Sequence, residues 1–578
     1  MHINVTKEVD LKGIKMDTTA FTIPLNNPSD EQRYQLLKNA LNNVGRPEDF
    51  NNIIELLSPP PDITTIAEPG SMSGVRIGII GGGLAGCSAA FELRKLGADI
   101  TIFDALEDRM GGRVYTYYFD RGRQYYGEFG PMRIPISHET TWHYINLFHL
   151  NTVSLSSPNS NNFIYVHNTR IRRDPSGDNI TKYLYPKFNL TTAENSVPWS
   201  ELNEYAFDSL LNNLSPEIRT EIFKILPTYS PEYEHLTRLS NRQVFEMLGL
   251  SQNAITLIAS VDPLTGGLIN TSYDETLQEN YSLDFMNTYR IQGGMVNLPL
   301  AFYYSLISRN PLEYQLPNYL LGDVHFKYGH IVNGIYQSVR RNKVLLKYSS
   351  KSEKNMLDVF DYVICTIPFS TLREVDIKPF FNNQKMQAIR ELNYSSSQKT
   401  AFFCNNRFWE DDAPFGNMNG GISFTDLPIQ SIVYPSDHIN CLTTGTCNSN
   451  EPGVLTASYN FNLDSIRLSN QNEKRRFELI KRNVEEVHGL PTGFLENKIE
   501  NQKTVHWNTE QWFRGAFAIN LPGQKINFAY QILQPEFDNK VFFAGEHTSV
   551  KHGWMQGALY SGKSAANTLA IHRNGILV

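Results

Sequence analysis

The chain has 578 residues, of which 41% are hydrophobic, and this is too long for a single hydrophobic core, so two or three domains are expected. Its formal net charge of -7 and the lack of a strongly basic cluster argue against nucleic acid as a partner. No window reaches the roughly 18 apolar residues of a membrane helix, so we expect no membrane partner. The 5 cysteines form no CxxC pair, which indicates neither a disulfide framework nor a metal site.

Residues 1 to 74 are interpreted as an N-terminal helical extension with a Pro-rich linker. They lack the apolar core of a secretory signal, so a cytoplasmic location is expected, with secretion after processing left open. A helix capped by Ser29 is predicted to run to Leu41, and a second helix is predicted to end near Leu57. A run of three prolines from Pro59 to Pro61 then forms a stiff linker.

The stretch from Val75 to Asp104 predicts a βαβ unit, because two β-branched runs flank a glycine loop and a stretch rich in Ala and Leu. Gly81 suits a tight turn, Gly83 lets a pyrophosphate approach the backbone, and Gly86 allows the helix to pack on the strand. Asp104 follows the loop at the distance expected for a carboxylate that binds a ribose hydroxyl, which disfavours a phosphorylated ribose. The unit therefore predicts a dinucleotide site.

Further along the chain, helical spacings fill the stretch from about 196 to 284, and the strand patterns HIVNGIYQSVRRNKVLLKY and DYVICTIP follow. We expect these strand patterns to continue the nucleotide-binding sheet. The last part, from Lys540, reads as a strand, a loop and a closing helix.

Several motifs in one order now point to a known family. They are the glycine loop, MGGRV at 110–114, GPMRIP at 130–135, QGGMVNLP at 292–299, DYVICTIP at 361–368, FWEDD at 408–412, and FAGEHT followed by HGW. From about Val75 to its end the chain resembles the flavin-containing amine oxidases, and within them the L-amino acid oxidases. The helical stretch matches this family poorly.

The resemblance implies an α/β fold: an FAD-binding, doubly wound, Rossmann-like domain, a mixed α+β substrate-binding domain and an inserted helical domain. The expected boundaries are 75–117, 288–392 and 530–578 for the FAD-binding domain, 118–195 and 393–529 for the substrate-binding domain, and 196–287 for the helical domain. VKHGWMQG at 550–557 contains no cysteine that could tether a flavin, so the FAD is expected to be non-covalent.

The resemblance also implies which residues bind FAD. The glycine loop and Asp104 would take the adenosine half, Arg113 would lie near the pyrophosphate and flavin, and Gly545 with Glu546 would close on the ribityl side. The full expected set is Gly81, Gly83, Leu84, Ala85, Gly86, Asp104, Ala105, Gly112, Arg113, Met132, Arg133, Val332, Gly545, Glu546, Gly553 and Trp554. The alternative for Glu546 is an acid in a surface loop.

Arg133 matches the arginine that binds the substrate α-carboxylate in L-amino acid oxidases. A planar guanidinium suits this task because two parallel N–H bonds fix position and orientation together. The alternative is an arginine held in a salt bridge within the sheet. Tyr459 matches the tyrosine whose hydroxyl completes the carboxylate site, and its alternative is a core tyrosine.

Four further residues match positions beside the flavin or the substrate. Gly553 and Trp554 match the pair whose carbonyl holds the amino group and whose indole walls the pocket. Phe517 matches a position that lines the side-chain pocket, and Lys399 matches the lysine that holds a water near the flavin. The alternatives are packing roles for Phe517 and Trp554 and an exposed lysine for Lys399. The expected catalytic residues are Lys399, Arg133 and Trp554.

The chain departs from some family members at two positions, where a histidine and an arginine are replaced by Gln278 and Ser395. We therefore assign no side-chain base, and we expect structural roles for His547 and His552. The acidic stretch from Tyr273 to Asp284 is expected to form a solvated face, although it slightly favours neutral or cationic substrate side chains.

The resemblance predicts FAD-dependent oxidative deamination of L-amino acids to 2-oxo acids, ammonia and hydrogen peroxide, with O₂ as the electron acceptor. Three alternatives stay open: an L-amino acid 2-monooxygenase that forms an amide, an amine or polyamine oxidase, and a flavoprotein with a binding role. A homodimer or higher homo-oligomer is the expected assembly.

Overall fold

The structure is a computed structural model that describes residues 26–155, 161–338, 340, 342–411, 414–438, 441 and 448–575. Helices Asp30–Asn43 and Phe50–Leu57 confirm the two helices predicted near the N-terminus, and residues 1–25 of the predicted extension lie outside the described residues. The extension packs on the main body, because Arg33 pairs with Glu139 at 2.5 Å in a buried setting.

The predicted βαβ unit is confirmed by strand Arg76–Ile80, helix Leu84–Lys95 and strand Asp99–Asp104. Its strands lie inside a five-stranded parallel sheet of the order Val324–Tyr328, Asp99–Asp104, Arg76–Ile80, Tyr362–Cys365 and Val541–Phe543. Strand Arg76–Ile80 is almost entirely buried, as parallel strands covered on both faces are. The sheet confirms the Rossmann-like α/β class.

One expectation about this sheet is wrong. DYVIC joins it, but strands Ile331–Ser338 and Lys343–Ser349 form a separate four-stranded sheet with Met356–Phe360 and Asp376–Lys378. The reason is visible in Lys343–Ser349, where buried and half-buried side chains alternate. An amphipathic strand of this kind buries only one face, so it belongs to a sheet that is covered on one side, whereas the strands of the parallel sheet are buried on both sides. This sheet packs on one face of the parallel sheet through residues such as Leu346 and Phe360.

A seven-stranded mixed sheet forms a wall of the main cavity. Its strands follow the order Ile499–His506, Ser397–Cys404, Gly453–Phe461, Ser431–Val433, Ile422–Thr425, Phe163–Val166 and Thr169–Arg172. Two short sheets have two strands each: Thr116–Tyr118 with Tyr126–Glu128, and Tyr394–Ser395 with Phe517–Ala518. A third short sheet has Thr288–Ile291 in the middle, with Ile134–Pro135 on one side and Thr152–Ser154 on the other.

The stretch after residue 196 is helical, as predicted, and the chain closes with a long helix that packs on the helix of the βαβ unit. The remaining helices are Glu139–Leu147, Thr192–Asn195, Trp199–Asn213, Pro216–Arg219, Pro231–Thr237, Asn241–Met247, Gln252–Val261, Pro263–Gly267, Tyr273–Tyr281, Asn297–Ile307, Phe369–Leu372, Asn383–Glu391, Asn462–Ser469, Glu473–His488, Tyr530–Leu533 and Met555–Arg573. The domain boundaries given above stay a prediction.

Three cysteines, Cys87, Cys365 and Cys404, are buried free thiols. Cys441 is disulfide-bonded, so the expectation that the scattered cysteines form no disulfide is wrong. Within the described ranges, no helix is long and apolar enough to cross a membrane. In the same part of the chain, no group of three or more His, Cys, Asp or Glu side chains could hold a metal ion.

Candidate active site

A cavity of about 810 Å³ brings the predicted site residues together. The glycine loop lies at one end of it, and the mixed sheet and the helical stretch enclose the other end. All of the predicted residues except Gly86 line it: Gly81, Gly83, Leu84, Ala85, Asp104, Ala105, Gly112, Arg113, Met132, Arg133, Val332, Lys399, Tyr459, Phe517, Gly545, Glu546, Gly553 and Trp554. The cavity is large enough for a cofactor together with a small substrate.

Gly86 does not line the cavity, because it lies where the helix packs closely against the glycine loop. A Cβ atom built on Gly86 would lie 2.1 Å from the carbonyl oxygen of Gly81, so only glycine lets the helix approach the strand here. Gly81 itself has φ +108°, a conformation that disfavours side chains. A Cβ on Gly83 would meet no protein atom within 4 Å, so the space beside it is open to a ligand.

The start of helix Leu84–Lys95 suits an anion. Its N-cap, Gly83, supplies no side-chain acceptor, so the first backbone N–H groups of the helix remain available to a phosphate. The Asp104 carboxylate accepts hydrogen bonds from the backbone N–H groups of Gly82 (3.0 Å) and Leu106 (2.9 Å), which fixes it at the end of its strand. These residues therefore fit a dinucleotide.

Glu546 is buried, not a surface loop acid, and its carboxylate connects three segments. It accepts hydrogen bonds from the Arg113 guanidinium (2.9 Å) and from the backbone N–H groups of Ala518 (3.0 Å) and Gly553 (3.0 Å). Burial would raise the pKa of Glu546, but Arg113 and its other neighbours hold that pKa below the usual value. Glu546 thus lines the cavity as a carboxylate whose bonds are directed to the protein.

Arg133 lines the cavity, and no hydrogen bond or salt bridge from the described residues reaches its guanidinium. The alternative of a structural salt bridge therefore finds no support in that part of the chain. Its guanidinium carbon lies 5.6 Å from the centre of the Phe285 ring. Burial lowers the pKa of Arg133, and the nearby Tyr459 and Glu279 partly oppose this. A cation in such a setting gains from an anionic ligand.

Lys399 and Tyr459 are brought together by the mixed sheet, because they are direct cross-strand partners of two antiparallel strands. The Lys399 ammonium nitrogen lies 4.3 Å from the centre of the Tyr459 ring and donates to the Gly130 carbonyl at 2.6 Å. Lys399 is only 3% exposed, so it is not an ordinary surface lysine. Burial lowers its pKa to about 7, against the opposing effect of Glu128. Burial raises the pKa of Tyr459 to about 12.

Trp554 and Phe517 line the cavity on either side of Gly553. A Cβ on Gly553, which has φ +76°, would touch the Phe517 ring at 3.4 Å. The Trp554 indole N–H donates to Glu279 Oε1 at 3.2 Å, and its ring lies 5.8 Å from that of Phe285. Trp554 is therefore a wall residue held by a hydrogen bond.

The acidic stretch is not a solvated face, which corrects the sequence-based expectation. Asp274, Glu275 and Asp284 are 4%, 6% and 0% exposed, and Glu279 lines the cavity. Helical spacing alone could not show that these acidic side chains point into the protein.

Sequence reasoning also missed two polar networks, one beside the cavity and one that lines it. In the first network, Lys551 donates a hydrogen bond to Asp284 at 2.6 Å, and Asp284 contacts His138 at 3.1 Å. The centre of the His138 ring lies 5.0 Å from that of the Trp554 ring. His552 contacts Glu275 at 2.8 Å. Burial would lower the pKa of His552, but Glu275 raises it to about 9.

A βαβ glycine loop beside a cavity lined by Arg133 and by buried ionisable groups is typical of an α/β enzyme with a cofactor. The chain belongs to the flavin-containing amine oxidoreductase family, whose model matches residues 84–570. It is therefore a flavin-dependent oxidoreductase.

Relatives in sequence and in structure agree with this family. The chain is 26% identical to the L-amino-acid oxidase of Sistrurus catenatus edwardsii over 530 residues, covering 92% of both chains. It is 27% identical to the L-amino-acid oxidase of Vipera ammodytes ammodytes, covering 84% of this chain and 91% of that protein. The solved cyclohexylamine oxidase of Brevibacterium oxydans has a TM-score of 0.63 at 16% identity, covering 86% of this chain and 99% of that one. A putrescine oxidase bound to putrescine has a TM-score of 0.60 at 16% identity, covering 85% of this chain and 98% of that one. These two structures establish the likeness of the fold alone.

Proposed function

We propose that the protein binds FAD non-covalently and oxidatively deaminates L-amino acids to 2-oxo acids and ammonia, with O₂ as acceptor and hydrogen peroxide as second product. The observation that carries the proposal is Arg133, which lines the cavity and has no hydrogen bond and no salt bridge to the described residues. An amine without a carboxylate would leave this cation unpaired in a partly desolvated place, which is unfavourable. An α-carboxylate would pair with it.

The residues of the nucleotide end fit FAD. The glycine loop would take the pyrophosphate on its free N–H groups, and Asp104 would take the ribose. When bound, the isoalloxazine supplies a two-electron acceptor that passes its electrons to O₂. No cysteine lines the cavity in the described part of the chain, which supports non-covalent binding.

The substrate would be held at three points, and this supports selectivity for the L enantiomer. Arg133 and Tyr459 would bind the α-carboxylate, the Gly553 carbonyl would take the amino group, and Trp554 and Phe517 would line the space beside it. Fixing three directions would give the Cα–H bond a single orientation in the cavity, and such positioning supplies much of a catalytic effect. Lys399, whose pKa burial lowers to about 7, would hold a water near the reacting centre.

Two other activities compete with this proposal. An L-amino acid 2-monooxygenase would use the same carboxylate site but release an amide, so the products separate the two. An amine or polyamine oxidase is the other competing activity, since the two solved structures of similar fold are a cyclohexylamine oxidase and a putrescine oxidase. Arg133 is the residue that argues against it.

The decisive experiment mixes the anaerobic yellow protein with matched pairs of compounds and follows the bleaching of flavin absorbance. Each pair is an L-amino acid and the amine that lacks its carboxylate, such as L-leucine with 3-methylbutylamine or L-lysine with cadaverine, and D-amino acids are controls. Bleaching by L-amino acids alone, with 2-oxo acid and peroxide as aerobic products, would support the proposal. Bleaching by the amines alone would contradict it, and an amide product would favour the monooxygenase.

The expected homodimer or higher homo-oligomer and the cytoplasmic location are also part of the proposal. Light scattering of the purified holoprotein tests the first, and fractionation of cells tests the second.

A further inference from the structure

One acid of the cavity, Glu279, has no salt bridge within the described residues and only one hydrogen bond. Glu279 lines the cavity from helix Tyr273–Tyr281, and its Oε1 accepts a hydrogen bond from the Trp554 indole at 3.2 Å. Within the described residues, no other hydrogen bond and no salt bridge reaches its carboxylate. By contrast, Asp284 is bound by Lys551 and His138. One oxygen of Glu279 is thus free toward the cavity.

Glu275, the other acid of this helix that lines the cavity, is already occupied. Its carboxylate contacts His552 at 2.8 Å and accepts a hydrogen bond from the Asn520 backbone N–H at 2.7 Å. The Gln278 side-chain amide donates to its second oxygen. Glu275 therefore has no comparable capacity for a ligand.

Glu279 lies close to the place where the substrate's amino group would be held. Its charge acts on both Arg133 and Tyr459, the two residues proposed to bind the α-carboxylate. It also contacts Trp554, the residue directly after Gly553. The ammonium of an amino acid is attached to the carbon next to the carboxylate, so a substrate held at Arg133 brings its ammonium toward Glu279.

We propose that Glu279 is the catalytic base that takes a proton from the substrate's α-ammonium group. One N–H bond breaks with its electron pair left on nitrogen, and one O–H bond forms on the carboxylate, so Glu279 becomes a carboxylic acid and the substrate becomes a neutral amine. No oxidant takes part in this step. The neutral amine is the form that can release a hydride from Cα. This inference rests on the proposed function.

The charge environment suits this transfer. Burial, and next the Asp284 carboxylate, raise the pKa of Glu279 to about 8, against the opposing effect of Lys551. Glu275 on the same helix raises it further, and Arg133 and Tyr459, which line the same cavity, are close enough for the charge of Glu279 to affect them. An α-amino group without a free neighbouring carboxylate titrates at roughly 7.7–8.0, and pairing with Arg133 neutralises the substrate carboxylate. Donor and acceptor are therefore closely matched, as efficient proton transfer requires.

The competing role for Glu279 is structural, because it could serve only to hold the Trp554 indole. Glu279→Gln separates the two roles, since the amide oxygen can still accept the indole hydrogen bond and the side chain keeps its size. Asp262→Asn is a matched control: Asp262 is an acid that lines the same cavity, but its oxygens bind the Leu264 N–H (3.1 Å) and the Thr265 hydroxyl (2.7 Å). Asparagine also serves as an N-cap there.

The experiment measures the rate of anaerobic flavin reduction between pH 6 and 10 with the fastest L-amino acid of the panel. In the wild type and in Asp262→Asn the rate should rise with pH through about 8. In Glu279→Gln it should fall by about a hundredfold at pH 7 and recover to within about tenfold near pH 10, where the free substrate loses its own proton. A loss that is equal at every pH would overturn the proposal and leave only the structural role.

A second measurement does not depend on turnover. The α-methyl analogue of the same amino acid has no Cα–H bond and cannot be oxidised, and its deaminated acid lacks the ammonium. Glu279→Gln should weaken binding of the α-methyl analogue several-fold at pH 9, by calorimetry on the holoprotein, and leave the deaminated acid unchanged. Equal effects on both ligands would overturn the proposal. If no L-amino acid reduces the wild-type flavin, the proposed function itself fails.

Discussion

Replacing Arg133 by methionine tests the carboxylate site most directly. The change removes a cation that faces the cavity and keeps a long apolar side chain beside Phe285. Truncating one partner of a desolvated, hydrogen-bonded charge pair costs between about 2 and 5 kcal/mol. Because Arg133 is only partly buried, we take the lower part of this range, about 2 to 4 kcal/mol, which corresponds to a rise in KM of roughly 30- to 1000-fold.

The structure also predicts what this substitution should leave unchanged. Arg133 has no hydrogen bond or salt bridge to the described residues, so its loss leaves no protein group without a partner. The melting temperature and the flavin content of Arg133→Met should therefore stay close to those of the wild type. Steady-state peroxide formation and thermal unfolding measure the two effects.

A matched control and a clear refutation are available for Arg133. Arg173 also lines the cavity but is exposed, so Arg173→Met should change KM for an L-amino acid by less than about threefold. Wild-type KM for L-amino acids in Arg133→Met would refute the reasoning. An equal rise in KM for the matched amines would also refute it, because such a rise would mean a general distortion of the cavity.

Three further results are expected. Tyr459→Phe should lower kcat/KM for L-amino acids about tenfold through the loss of one hydrogen bond of about 1 to 1.5 kcal/mol, and an unchanged value would place Tyr459 in the core alone. Gly86→Ala should lower the free energy of unfolding by about 1 to 3 kcal/mol and weaken flavin retention, because its Cβ would lie 2.1 Å from the Gly81 carbonyl oxygen. The raised pKa of His552, about 9, means that its contribution to stability is complete below the ordinary value of 6.5 and is lost as pH rises through about 9. Urea unfolding between pH 6 and 9.5 should show this decline, and Glu275→Gln should flatten it; parallel curves would contradict the assignment.

Some of the site could be predicted from local sequence because its geometry is local. The glycine loop, its helix and Asp104 lie within 30 residues, and each glycine has a steric reason that any such unit shares. Lys399 and Tyr459 are different, because they are 60 residues apart and meet only through the register of two antiparallel strands. The resemblance to a family assigned both residues to one active site, but it did not predict that they are cross-strand partners.

Two features could not be predicted from the sequence: the inward direction of an acidic helix face and the sheet that two strands join. Both depend on which helices and sheets pack against each other. Glu275 and Glu279 are spaced by four residues, which places them on one helix face, and an acidic face usually points to water. Here the helix lies against the cavity, so this face turns inward. The strand pattern at 331–349 was likewise read correctly as strand, but alternation does not say which sheet a strand will join.

The geometry of Glu546 shows why the cofactor end and the substrate end of the cavity form one unit. Gly553 has no side chain to anchor it and adopts φ +76°, and its backbone N–H donates to Glu546 at 3.0 Å. The same carboxylate binds Arg113, which is expected beside the pyrophosphate. A group buried this deeply keeps its charge only while these donors surround it. The carboxylate thus ties the position of Gly553, whose carbonyl is proposed to bind the substrate's amino group, to the segment proposed to bind the flavin.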